Sequence, residues 1–343
     1  MENFIVLVIV LLIISNVVFY ISNLVKLSPI LGLIFIGIIS STNYFKNMIQ
    51  PNKKGIEYLG DIGIILLMFV LGYESSLQRI KKNKKDTITI SLISFIFPFI
   101  LGFGLFIILG YDLLTSLIVG LVLAITAEVI NGKILLELDV LDTDIGSSII
   151  GIGLIDSFIG ILILTLIMFN YGKMKKDLFV SILLIISFLI GLKYKSIVEK
   201  DSNKLERNNK KMKNFNNLAL KTIAPFFFIN MGYNLDLTHL FVNPTIILFL
   251  VSIAIFGKVG GSLLSKPLVD YSLKQLKIIG WGINSRGAVD LTIVLLAFRN
   301  GLLHKKLYSA LVLTILITTI IFILYSRQLM LENKQDLNKE KNY

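Results

Sequence analysis

The sequence predicts an all-α polytopic membrane protein with about eleven transmembrane helices, in which two crossed, discontinuous helices belong to an inverted repeat. Three observations lead there. Apolar residues arrive in blocks of about 18–22, the length that crosses roughly 30 Å of hydrocarbon at 1.5 Å per residue; Asn3–Tyr20, Ser147–Phe169 and Leu307–Tyr325 are examples. Of 343 residues, 55% are hydrophobic and only 16% charged, with a mean hydropathy of +0.80. The charges themselves collect between the blocks. Lipid cannot hydrogen-bond the backbone, so such blocks are helices or closed barrels, and the lack of period-two alternation selects helices.

Eleven segments follow in order, at about 3–21, 28–43, 56–74, 87–109, 113–137, 146–170, 177–192, 215–233, 243–264, 273–298 and 307–326. The first has Glu2 but no Lys or Arg before it, and no small-residue cleavage pattern after it. It therefore reads as a span and not as a cleaved leader. One basic loop holds Arg79, Lys81, Lys82, Lys84 and Lys85; a second runs from Lys193 to Lys213. With these in the cytoplasm, as the positive-inside rule places them, the N-terminus is outside and the C-terminus cytoplasmic. Lys173, Lys175, Lys176, Lys305 and Lys306 then fall on the outer side, against the rule. Residues 193–214 read as a charged cytoplasmic linker and 327–343 as a polar cytoplasmic tail. The net charge of +12 lies in loops, so it marks membrane topology and not a nucleic-acid surface. Cysteine is absent and histidine occurs twice, at His239 and His304, so no transition-metal site or other cofactor is expected.

A repeat runs through these segments. Gly72-Tyr73 closes the third and Gly232-Tyr233 the eighth, an offset of 232 − 72 = 160 residues. The same offset maps Thr126 in segment five onto Arg286 in segment ten. Both sit in polar interruptions, Thr126-Ala127-Glu128 and Asn284-Ser285-Arg286-Gly287. Segments five apart cross the bilayer in opposite directions, the inverted plan of many secondary transporters.

An ionisable group at mid-bilayer costs about 2.5–3.5 kcal/mol or more, so each one needs a reason. Asp156 lies near the middle of segment six and Lys258 midway along segment nine. Opposite charges at equal depth offset each other's desolvation, which makes these two natural partners. Asp156 then alternately binds a proton and a dehydrated alkali cation, with Lys258 displaced or deprotonated; the bland alternative is a static pair that only locks two helices. Interrupted helices leave unpaired N–H and C=O groups at the break, and Glu128 and Arg286 are placed to neutralise those ends. Asp290 lies just beyond the second break. Thr126 and Asn284 supply neutral oxygens, as cation ligands or as caps for the broken turns.

At these residues the chain resembles the cation:proton antiporter superfamily, in its sodium/hydrogen exchanger type of transmembrane domain (type 2 branch). Ser28-Pro-Ile-Leu-Gly-Leu-Ile-Phe-Ile-Gly37 is similar to that family's PPVLG-type first helix, and Leu59-Gly-Asp-Ile-Gly63 through Glu74 to its glycine-rich helix ending in GLE. Pro225-Phe-Phe-Phe-Ile-Asn-Met-Gly232 resembles its Phe-rich helix, and Asn284-Ser-Arg-Gly-Ala-Val-Asp-Leu291 its NTRGxVEL crossing motif. The resemblance implies one transmembrane domain over residues 1–330, with core helices at about 87–170 and 243–326. Scaffold helices at about 1–74 and 215–233 would form a homodimer. It also implies exchange of Na+ or K+ for H+ across the cell membrane by elevator-like alternating access, with no enzymatic activity. An acidic dyad on the sixth helix binds the ion in many members, and a later Lys pairs with its first position. Counting from Gly146, Asp156 matches the first position and Lys258 the Lys, whereas Ser157 stands where the second Asp is usual; a slip of one residue would make Asp156 the second Asp. Ion and proton binding are thereby assigned to Asp156, Ser157, Thr126 and Lys258. The region between segment six and the Phe-rich helix is also shorter than usual, by about two helices. These departures leave two alternatives beside the antiporter: an uncoupled cation efflux channel, or a degenerate, non-transporting sensor or assembly protein.

Overall fold

The computed structural model describes residues 2–24, 29–75, 83–173, 175–199, 202–236 and 244–334, apart from some side chains. Fifteen α-helices lie among them: α1 (Glu2–Leu24), α2 (Pro29–Ser40), α3 (Asn43–Ile49), α4 (Lys53–Glu74), α5 (Lys84–Ile108), α6 (Leu113–Ala124), α7 (Glu128–Glu137), α8 (Asp144–Tyr171), α9 (Lys175–Val198), α10 (Ser202–Thr222), α11 (Ala224–Tyr233), α12 (Pro244–Leu264), α13 (Leu273–Gly282), α14 (Ala288–Arg299) and α15 (Lys305–Glu332). Seven stretches, built on α1, α3–α4, α5, α8, α9, α12 and α15, are long and apolar enough to cross a membrane. The chain folds as an all-α membrane protein. The eighth expected segment is not one helix: α10 ends at Thr222 and α11 starts at Ala224, because Pro225 cannot donate the backbone N–H that a continuous helix needs. The 193–214 stretch is occupied by the end of α9 and most of α10, an amphipathic helix. Residues 79–82, part of the first basic loop, and His239 lie outside the described residues, as does the tail from 335.

Two compact units result. One comprises residues 1–73 and 182–237, the other 74–181 and 238–343. In the first, glycines let helices approach to backbone contact. A Cβ on Gly37 of α2 would overlap the Ile229 carbonyl of α11, and one on Gly232 would overlap Ile34. Gly72 of α4 and Gly191 of α9 make a second reciprocal pair against Phe188 and Phe69. Without a hydrophobic drive between helices in lipid, this close packing is the main cohesive force available. At one end of the unit, the Tyr73 hydroxyl and Lys195 Nζ both donate to Asn209 Oδ1 of α10, at 2.9 and 3.1 Å.

The second unit carries the repeat. Helices α5, α6 and α7 begin at residues 84, 113 and 128, and α12, α13 and α14 at 244, 273 and 288, each 160 residues later. Its apolar core joins Ile149 and Ile152 of α8 to Leu276 and Ile279 of α13, Ile283, and Phe322 of α15. Gly257 and Gly261 of α12 pack on Pro98 and Ser94 of α5. Caps set the helix starts. The Asp112 carboxylate accepts the Thr115 N–H (2.9 Å) at α6, Thr143 Oγ1 accepts the Gly146 N–H (3.0 Å) at α8, and Ser272 with Gln275 forms a reciprocal box at α13.

Candidate functional site

The two breaks are where the second unit concentrates its polar groups. α6 stops at Ala124, and Ile125 and Ala127 take extended conformations before α7. α13 stops at Gly282, and the chain restarts as α14 at Ala288. The unwound segments bind each other: the Ala127 N–H donates to the Ser285 carbonyl (3.0 Å), and Ser285 Oγ donates to the Ala127 carbonyl (2.5 Å).

Asp156 of α8 is fully buried beside this junction. Its Oδ1 accepts from Ser91 Oγ of α5 (2.8 Å), and its Oδ2 from Thr126 Oγ1 (2.8 Å) and from Lys258 Nζ of α12 (2.6 Å). Lys258 is fully buried as well, so this ion pair has no access to bulk water. Three donors on one carboxylate, two of them hydroxyls, offset part of the cost of burying it. The single Thr126 hydroxyl proton also lies within reach of the Ile283 carbonyl (3.0 Å), so it serves one acceptor at a time. A carboxylate with neutral oxygens around it is a donor set for a small dehydrated cation, provided the ammonium leaves.

The transmembrane sodium/hydrogen exchanger family model matches residues 6–194 and 196–327. This chain belongs to that family. It is 24% identical to a Na(+)/H(+) antiporter of Enterococcus hirae over 355 residues, covering 88% of this chain and 91% of that protein. It is also 24% identical to the Na(+)/H(+)-K(+) antiporter GerN of Bacillus cereus, over 79% of this chain and 82% of that one. Among solved structures, the sodium proton antiporter MjNhaP1 of Methanocaldococcus jannaschii at pH 8 superposes with a TM-score of 0.68 at 16% identity, covering 97% of each chain. At that identity the likeness speaks for the fold.

Within this exchanger-family chain, five expected residues remain to be placed. Ser157 is buried but turns away from the carboxylate, donating to the Thr126 carbonyl at 3.2 Å. Arg286 reaches from the second break to the end of the first broken helix, with its guanidinium on the carbonyls of Val122, Leu123 and Ile125, each at 2.6 Å. Helix α6 would otherwise end in unpaired carbonyls carrying partial negative charge, and the Arg286 guanidinium hydrogen-bonds three of them. Asp290 Oδ2 accepts the Gly287 N–H (3.1 Å) and opens α14, while Oδ1 is buried without a hydrogen-bond partner among the described residues. Asn284 Nδ2 donates to the Gly280 carbonyl (2.9 Å), and its Oδ1 is likewise unpartnered. The side chain of Glu128 lies outside the described residues, although α7 begins at that position.

Sequence reasoning missed Ser91. A signal was present: Thr87, Ser91 and Ser94 recur at helical spacing along an otherwise apolar α5, and all three are buried. It also missed Asn131, buried on the first turn and a half of α7 with neither amide atom hydrogen-bonded among the described residues.

Proposed function

We propose that the protein is a secondary transporter that exchanges a monovalent cation, Na+ or K+, for H+ by alternating access. The observation that carries this reading is the fully buried Asp156–Lys258 pair, held at 2.6 Å beside the meeting point of two broken helices. A buried pair contributes little net stability compared with apolar packing. Keeping one inside a membrane therefore points to use of the charges. A cation entering the site takes the carboxylate of Asp156, with the Thr126 and Ser91 hydroxyls in its shell; Ser157 joins it by turning its hydroxyl from the Thr126 carbonyl, and Lys258 is displaced. Because every one of these groups belongs to the second unit, that unit is the transport core, and the first unit is the scaffold through which two copies form a homodimer. The protein sits in the cell membrane with the N-terminus outside and the C-terminus in the cytoplasm, an orientation supported by the two basic loops.

A second reading has one observation in its favour. Ser91 and Thr126 satisfy Asp156 as it stands, which suits a static lock in a non-transporting protein. Everted vesicles separate the two. Adding Na+, K+ or Li+ to vesicles holding an acid interior should collapse the pH gradient with the native chain, and Asp156→Asn should abolish the response. Ser157→Asp, assayed beside the native chain, shows whether a second carboxylate raises the exchange rate. No flux with any of the three cations would leave the static lock standing.

A further inference from the structure

We propose that Asp290 carries the exchanged proton, and that it takes over the Lys258 ammonium when a cation occupies Asp156. This rests on the exchange function proposed above and identifies the proton carrier within it. Ser157 cannot supply that role, because a serine hydroxyl does not ionise at ordinary pH. Asp290 is fully buried on the first turn of α14, with Oδ2 tied to the Gly287 N–H and Oδ1 without a hydrogen-bond partner among the described residues. An oxygen left open in a buried carboxyl is a position for either an acid proton or a hydrogen-bond donor. Two charged groups act on it, Arg286 in the preceding break and Lys258 on α12. The Arg286 guanidinium is engaged on three carbonyls of α6, and Lys258 Nζ has its hydrogen bond only to Asp156 among the described residues. Lys258 and Asp290 interact electrostatically as well, so both carboxyl groups bear on the one ammonium.

The cycle balances. Without a cation, Asp156 is ionised and paired with Lys258, and Asp290 holds a proton on Oδ1. When a monovalent cation binds Asp156, the released ammonium turns to Asp290, which ionises and gives its proton to the water then in contact with the site. One cation enters, one proton leaves, Lys258 stays charged, and the net charge of the site is unchanged.

The test uses purified full-length protein in detergent, with a pH-indicator dye for protons and the cation-induced rise in melting temperature for binding. Native protein should release about one proton per Na+ bound. Asp290→Asn should lose the proton release and shrink the Na+-induced melting shift, because the displaced ammonium then has no carboxylate to take it. Release equal to native from Asp290→Asn would overturn the proposal while leaving exchange intact. Native protein with neither shift nor release, for Na+, K+ and Li+ alike, would overturn the exchange reading itself. Should Asp290→Asn fail to fold, infrared difference spectra take its place. The carboxylic-acid C=O band that disappears on adding Na+ should move in Asp290→Glu, and an unmoved band assigns the proton elsewhere.

Discussion

Arg286 donates to the carbonyl of Ile125 at 2.6 Å, across 161 residues of chain, and so one broken helix is capped by the residue that interrupts the other. The same guanidinium holds Val122 and Leu123, which makes the crossing a single hydrogen-bonded object. Replacing Arg286 with Met leaves three buried carbonyls unpaired at about 1–3 kcal/mol each, so a loss of at least about 3 kcal/mol is expected. Arg286→Lys should lie between, since an ammonium keeps the charge but lacks the planar fork. Thermal unfolding in detergent reads both; a Met variant as stable as the native protein would show that water or backbone rearrangement replaces the cap.

Lys258→Ala leaves the Asp156 carboxylate buried beside two hydroxyls and no cation. Breaking a buried pair from one side costs about 3–5 kcal/mol. The variant should melt lower than native in Na+-free buffer and recover more than native when Na+ is added, because no ammonium has to be displaced. At a cation concentration of about 100 times Kd, the linkage amounts to about 2.7 kcal/mol. Equal Na+ responses in the two proteins would remove Asp156 as the cation's seat.

Asp112, at the exposed start of α6, has a carboxyl held below its ordinary value. Burial pushes it up, but hydrogen bonds from the Thr115 hydroxyl and from the Thr115 and Leu114 N–H groups outweigh that. A lowered value in the folded state means the cap stabilises fully above the unfolded carboxylate's range and is lost as pH falls through the folded one. The hydrogen-exchange protection factors at the first turn of α6, taken relative to the intrinsic rate at each pH, should therefore fall on acidification in the native protein. Asp112→Ala should cost about 1 kcal/mol near neutral pH and flatten that dependence. Parallel acid profiles in the two proteins would assign the loosening to another group.

Gly37→Ala tests the packing of the first unit. The added Cβ meets the Ile229 carbonyl and the Gly232 backbone, neither of which is a flexible side chain, so α2 and α11 must separate. Overpacking of this kind costs about 1–3 kcal/mol. Gly104, whose Cβ would meet nothing within 4 Å, is the control. Melting temperatures should fall for Gly37→Ala and change far less for Gly104→Ala; equal changes would show that the close approach carries no energy.

Much of this was readable in one dimension because the bilayer imposes simple rules. Segment lengths follow from hydrocarbon thickness, and the polar interruptions at Thr126 and Asn284 stand out because a spanning helix otherwise has no reason to contain them. The isolated charges at Asp156 and Lys258 stand out for the same reason, and their partnership follows from depth and sign. Ser91 did not stand out, because a hydroxyl can satisfy itself on its own helix backbone and costs little to bury. The break at Ile223 was missed because the Phe-rich sequence on its far side outweighed Asn216, Asn217 and Lys221 on the near side, so the whole stretch read as one span.

The chain itself thus determined that the protein crosses the membrane, which two helices break, and which two charges need each other, since each follows from local composition against a fixed solvent thickness. Only the tertiary structure decided where the freed groups at those breaks find partners. Arg286 caps the other broken helix, Ser157 faces the Thr126 carbonyl and not the carboxylate, and Asp290 keeps one oxygen open. Such choices depend on ångström-scale direction between side chains and backbone groups brought together by packing, which hydropathy and periodicity along a chain do not encode.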